Sequence, residues 1–140
     1  MYQQILVAID LSKESQSLLA KASQLAKIHQ ANLHVIHVDQ SFLDTYDGIF
    51  PVNEADFEER LQHESIRAMR SLFANKQLVV DKYYVTAGDI DDEILQIIKQ
   101  ENIDLVVLGH HKSSLLRQTF MSISEPIIRD MPCDVNLLRT

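Results

Sequence analysis

Short apolar runs recur along this chain between longer stretches whose apolar residues return every three or four positions. That alternation restricts the fold more than any other feature. "QQILVAID" (3–10) is almost wholly apolar, as a strand buried on both faces of a parallel sheet must be. "NLHVIHV" (32–38), "LVVDKYYVTA" (78–87), "DLVVL" (104–108) and "DVNLL" (134–138) read as four further strands, with Gly109 ending the fourth. Between them, Leu18, Leu19, Ala22, Leu25 and Ala26 give one face of a helix that Ser12 can cap and that ends near His29. Asn53 opens a second helix carrying Phe57, Leu61, Ala68, Met69, Leu72 and Phe73, and Asp89, after the turn at Gly88, caps a third with Ile90, Ile94, Ile97 and Ile98. A last helix with Ile123, Ile127, Ile128 and Met131 is expected to run to Pro132. Strands that alternate with helices require right-handed crossovers, so the predicted architecture is α/β and Rossmann-like: an open, doubly wound, mostly parallel sheet with helices on both faces.

At 140 residues the chain suits one domain, 1–140, that buries its own core. A net charge of -7 with no local Lys/Arg cluster repels phosphate backbones and argues against nucleic acid as a partner. The one cysteine, Cys133, allows no disulfide framework and no thiolate metal set. "MYQQILVAID" has no positive n-region, and no apolar run approaches the roughly 20 residues of a membrane span. The expectation is a cytoplasmic protein with no membrane partner.

In open sheets of this kind ligands bind outside the carboxyl ends of the strands, where strand order reverses. If strands one and four flank that point, Asp10, Leu11 and Ser12 line one side of the crevice and Gly109, His110, His111 and Lys112 the other. Val38 and Asp39 form its side wall. Asp10 reads equally as a ribose or metal ligand and as a helix-entry residue. Neighbouring His110 and His111 point opposite ways on extended backbone and lack a Cys or Glu at ligand spacing, so no metal site is expected. His34 and His37 differ in parity and face opposite sides of their strand. Ser113, Ser114 and Ser122 lack the context of a nucleophile, so no catalytic residue is assigned.

Four fragments resemble the universal stress protein family over nearly the whole chain. "ILVAIDLSKES" resembles its opening strand with D-x-S-x-x-S, and "LHVIHVD" its second strand. "YDGIFPVN", "AGDIDDEILQIIKQENIDLVVLGHH" and the G-H-H within it resemble the subgroup typified by universal stress protein A. The resemblance implies a five-stranded parallel sheet in the order 3-2-1-4-5, a homodimer, and a role in surviving starvation or damage.

Nucleotide-binding members of the family carry G-x-x-G-x(9)-G-S/T after strand four, where glycine lets backbone N–H groups close on the phosphates. Here Gly109 takes the first position and Lys112 the second. The third falls on Ser122 by simple count, or on Met121 with Ser122 after it if "SEPIIRD" anchors the register. A Cβ at these positions crowds an oxygen about 3 Å from the backbone nitrogen, so no tight phosphate cradle is expected. The alternative is weak ATP and Mg²⁺ binding through Asp10, Val38, Gly109, His110, Lys112 and Ser122.

The function so expected is a non-enzymatic dimeric stress-response factor with no cofactor; the alternative is an ATP-binding sensor with slow hydrolysis or autophosphorylation. The final strand, with Val135 and Leu137 on one face, Leu138 on the other and polar Asn136 between, is the expected dimer edge. Other proteins or paralogues are further expected partners. The apolar Phe42, Leu43, Tyr46, Ile49 and Phe50 of the loop at 40–52 are expected to pack over the sheet end or against a partner, or else to form a simple satellite cluster.

Overall fold

The computed structural model describes residues 1–39, 53–74, 78–110, 127–130 and 132–140. The loop at 40–52, with Phe42, Leu43, Tyr46, Ile49 and Phe50, and the segment containing His111, Lys112, Met121, Ser122 and Ile123 lie outside the described residues, as does Met131. Eight elements follow in order: β1 (Gln4–Ala8), α1 (Glu14–His29), β2 (Asn32–Asp39), α2 (Glu54–Phe73), β3 (Lys82–Ala87), α3 (Ile90–Gln100), β4 (Leu105–His110) and β5 (Asp134–Arg139). A helical turn lies at 127–130. The five strands form one sheet in the order β3-β2-β1-β4-β5, every pair parallel.

Successive strand residues point to opposite faces, and the core divides accordingly. On one face Ile5, Val7, Leu33, Val35, Leu105 and Val107 meet Leu18, Leu19, Ala22 and Ala26 of α1 and Met69 of α2. On the other, Leu6, Ala8, Ile36, Val38, Val106 and Leu108 meet Ile94, Ile97 and Ile98 of α3 together with Ile127. No helix among the described residues is long and apolar enough to cross a membrane.

The strands start and stop where carboxylates intervene. Asp81 Oδ2 accepts from Leu33 N at 2.7 Å, occupying the place of a ladder carbonyl. Pairing of β3 therefore begins at Lys82 opposite His34, not at residue 78, and Val79 is left 62% exposed. Asp104 likewise accepts from Gln3 N and Gln4 N, so β4 begins one residue later than expected. Gly109 does not end β4: the strand runs on to His110, pairing Gly109 with Leu138.

The entry to α1 also corrects the expectation. Ser12 is not its side-chain cap; Lys13 occupies the cap position and makes no side-chain cap bond, while the Ser12 hydroxyl is buried without a partner. Asp10 does the work instead, its Oδ1 accepting from Ser12 N at 3.0 Å and from Ser15 Oγ at 2.9 Å. Asn53 and Asp89 cap α2 and α3 as expected, through Ala55 N and through Asp91 N and Asp92 N. Gly88, at φ 139°, supplies the left-handed turn before Asp89.

Candidate functional site

The carboxyl edges of β1, β2 and β4 are adjacent. Ala8 pairs with Ile36 and Val7 with Val107, so the register carried two or three residues further puts Asp10 level with Val38 and His110. Three of the sequence-predicted positions thus lie level across β2, β1 and β4, beside the strand-order reversal between β1 and β4. Val38 is 8% exposed and belongs to the core on the α3 face, so it offers a wall and not a reactive group. His110 is exposed, and its carbonyl accepts from Thr140 N at 3.2 Å.

Gly109 is a packing glycine. Its φ is not left-handed, but a Cβ there would come to 2.9 Å from Leu18 Cδ2. The absent side chain lets α1 lie close on β4. Lys112 and Ser122 lie outside the described residues. Asp10 Oδ1 is engaged with the start of α1, which is the geometry of a helix-entry residue.

Beside Asp10 lies a constellation that the sequence reading did not find. His37 and Asp39 share the α1/α2 face of β2, two residues apart. His37 Nδ1 lies 2.9 Å from the Ile9 carbonyl and Nε2 2.9 Å from Asp39 Oδ1. Ser65 of α2 donates to the same Oδ1 at 2.6 Å. The strand period could have exposed the His-x-Asp pair, because both residues fall on odd positions. The partner on α2 carried no local signal.

The order of these groups decides what they can do. A serine nucleophile gives its proton to an imidazole. Ser65, only 6% exposed, bonds to the carboxylate directly, so His37 is not placed to activate it. The cluster ties β1, β2 and α2 together beneath the crevice. His34 lies on the opposite face, stacked on Tyr84 with ring centroids 6.4 Å apart, and burial holds its pKa below the usual value. Cys133 is half-buried, and burial pushes its thiol up to about 11, far from the range of a reactive thiolate. Among the described residues no group of three His, Cys, Asp or Glu side chains is placed to hold a metal.

Comparison with known proteins agrees with the fold. Residues 1–139 match the profile of the Universal stress protein family. The chain is 34% identical over 135 residues to the universal stress protein A homolog of Pasteurella multocida, covering 96% of this chain and 94% of that protein. It is 39% identical over 112 residues to the corresponding homolog of Haemophilus influenzae, covering 80% and 79%. Among solved structures, a universal stress protein of Lactobacillus plantarum superposes with a TM-score of 0.73 at 26% identity, covering 99% of this chain and 98% of that one. One from Archaeoglobus fulgidus, in complex with dAMP, superposes with a TM-score of 0.58 at 15% identity, covering 97% of both chains, a likeness of fold alone.

Proposed function

The chain belongs to the universal stress protein family, and from that premise we propose that it is a non-enzymatic stress-response protein of the cytoplasm that acts as a dimer and holds no nucleotide tightly. One observation carries this reading: of the three positions, from the end of β4 onward, where nucleotide-binding members have glycines, only the first, Gly109, is a glycine. Lys112 takes the second position and Ser122 or Met121 the third, and side chains there obstruct backbone N–H groups from closing on a phosphate. The packing of Gly109 against Leu18 supports it, because that glycine has a structural reason to be present whether or not a ligand binds.

The partner in this reading is a second copy joined through β5. Leu137 is 52% exposed on the free edge of the sheet, and Val135 is half-buried on the same face. Antiparallel pairing of β5 with its own copy across a twofold axis closes that edge and buries Leu137 in a self-complementary contact that does not itself propagate into a fibre. Asn136 and Leu138 face the other side, where Leu138 packs on the α1 core. Paralogues and other proteins are further partners that such an edge admits.

The second reading is a nucleotide sensor, with Asp10, Val38, Gly109, His110, Lys112 and Ser122 around a weakly held ATP. The level placement of Asp10, Val38 and His110 at the sheet reversal favours it. Absorbance separates the two. With no tryptophan and four tyrosines, the protein absorbs little, and copurified adenine nucleotide would dominate near 260 nm. The proposal expects a spectrum with no such excess; an excess removed only by denaturation overturns it.

A further inference from the structure

The two ends of α2 are held on the sheet by different means. The side chains it gives to the core, Met69, Leu72 and Phe73, all lie near its carboxyl end. Every residue from Ala55 to Arg60 is exposed, and the next buried side chain after them is Ser65, whose hydroxyl donates to Asp39 Oδ1 at 2.6 Å. Gln62 adds a bond from Nε2 to the Val85 carbonyl at 3.3 Å but stays exposed. Hydrogen bonds stabilise less than buried Met or Phe side chains do, so the amino-terminal half of the helix is the more weakly held. The closed arrangement also leaves a polar atom unsatisfied. Asp39 Oδ1 takes both Ser65 and His37 Nε2, while Oδ2 is buried with no hydrogen-bond partner among the described residues. A dry carboxylate oxygen is costly, and water reaching it when the helix lifts offsets part of the lost Ser65 bond.

We propose that residues 54–65 of α2 open from the sheet as one cooperative unit, with the Ser65–Asp39 bond as its latch, while Met69, Leu72 and Phe73 keep the rest of the helix docked. A free helix of about 12 residues is marginal in water, so the unit unwinds as it lifts. Opening uncovers Asp39 and His37, and through His37 the Ile9 carbonyl, at the side wall of the crevice. Access to that wall is then governed by α2 and not by the stretch after β4. The device depends neither on a nucleotide in the crevice nor on pairing through β5.

Native-state amide hydrogen exchange of the full chain, resolved by NMR at low urea concentrations, tests this. Amides from Glu58 to Ser65 should share one level of protection, well below that of β1 and β4 and nearly independent of urea, because their opening exposes little surface. Ser65→Ala, which keeps a good helix former, should speed their exchange about fivefold and raise modification of His37 by diethyl pyrocarbonate, read by peptide mass spectrometry. Exchange with the urea dependence of β4 would mean that the segment opens only with the whole molecule. Protection that climbs residue by residue would mean simple fraying of the helix end. Either result overturns the cooperative unit, and unchanged exchange or unchanged His37 modification in Ser65→Ala overturns the latch.

Discussion

His37 and Asp39, two apart on one face of β2, are joined by a 2.9 Å contact from Nε2 to Oδ1, and the same carboxylate oxygen accepts from Ser65 of α2. One buried carboxylate therefore holds a strand to a helix, and through His37 it reaches the Ile9 carbonyl just before Asp10.

Asp39→Ala leaves the Ser65 hydroxyl and one His37 nitrogen without an acceptor in a site where Asp39 itself is 6% exposed. The expected loss is about 3 kcal/mol in urea unfolding. Asp39→Asn keeps an acceptor oxygen and should lose only about 1 kcal/mol. Equal losses would mean that the charge, and not the hydrogen bonds, holds the cluster.

Gly109→Ala should cost about 1–2 kcal/mol, because the new Cβ meets Leu18 Cδ2 at 2.9 Å in a packed interior. Combined with Leu18→Val, which withdraws the clashing methyl, part of that cost should return as a coupling energy in a double-mutant cycle. Additive losses would show that the glycine matters for another reason.

His34 makes stability depend on pH. Its Nε2–H donates to Gln4 Oε1 at 2.8 Å, Nδ1 is buried without a partner, and burial lowers its pKa from 6.5. In the window just below 6.5 the unfolded chain binds a proton that the folded chain refuses, so this contribution is full above 6.5 and is lost as pH falls. Urea midpoints should drop between about pH 7.5 and about pH 5.5, and His34→Phe, which keeps a ring against Tyr84, should flatten that drop. An unchanged slope in the variant would assign it to other groups.

If the protein is the β5-edge dimer proposed above, wild type should sediment as a dimer and Leu137→Lys as a monomer, while the circular dichroism stays that of a folded α/β protein. Leu137 is the cleaner position, since it is 52% exposed whereas Val135 also packs on the α3-side core. A Leu137→Lys variant that sediments as a full dimer would move the interface to a helical face.

Much of the fold was legible because buried parallel strands are apolar runs and helices are apolar stripes. Ile5 to Ala8, Leu33 to Val38 and Ile94, Ile97 and Ile98 fall where those patterns put them. Boundaries were less so, since Asp81 and Asp104 displace ladder partners with their side chains, which periodicity does not register. Ser12 is a good cap by residue type, but the entry to α1 is held instead by Asp10 Oδ1, which accepts from Ser12 N and Ser15 Oγ. At the candidate site, topology located Asp10, Val38 and His110. The Ser65 contact depends on how α2 docks, and nothing local in the sequence encodes that docking.

On the function proposed above, the crevice at the carboxyl edge holds no nucleotide tightly, and thermal unfolding in millimolar Mg-ATP tests this. A ligand of the folded state stabilises by RT ln(1 + [L]/Kd), so a binder in the micromolar range would raise the melting temperature by several degrees. The expected result is a melting temperature unchanged by Mg-ATP. A clear upward shift that grows with ATP concentration would contradict it.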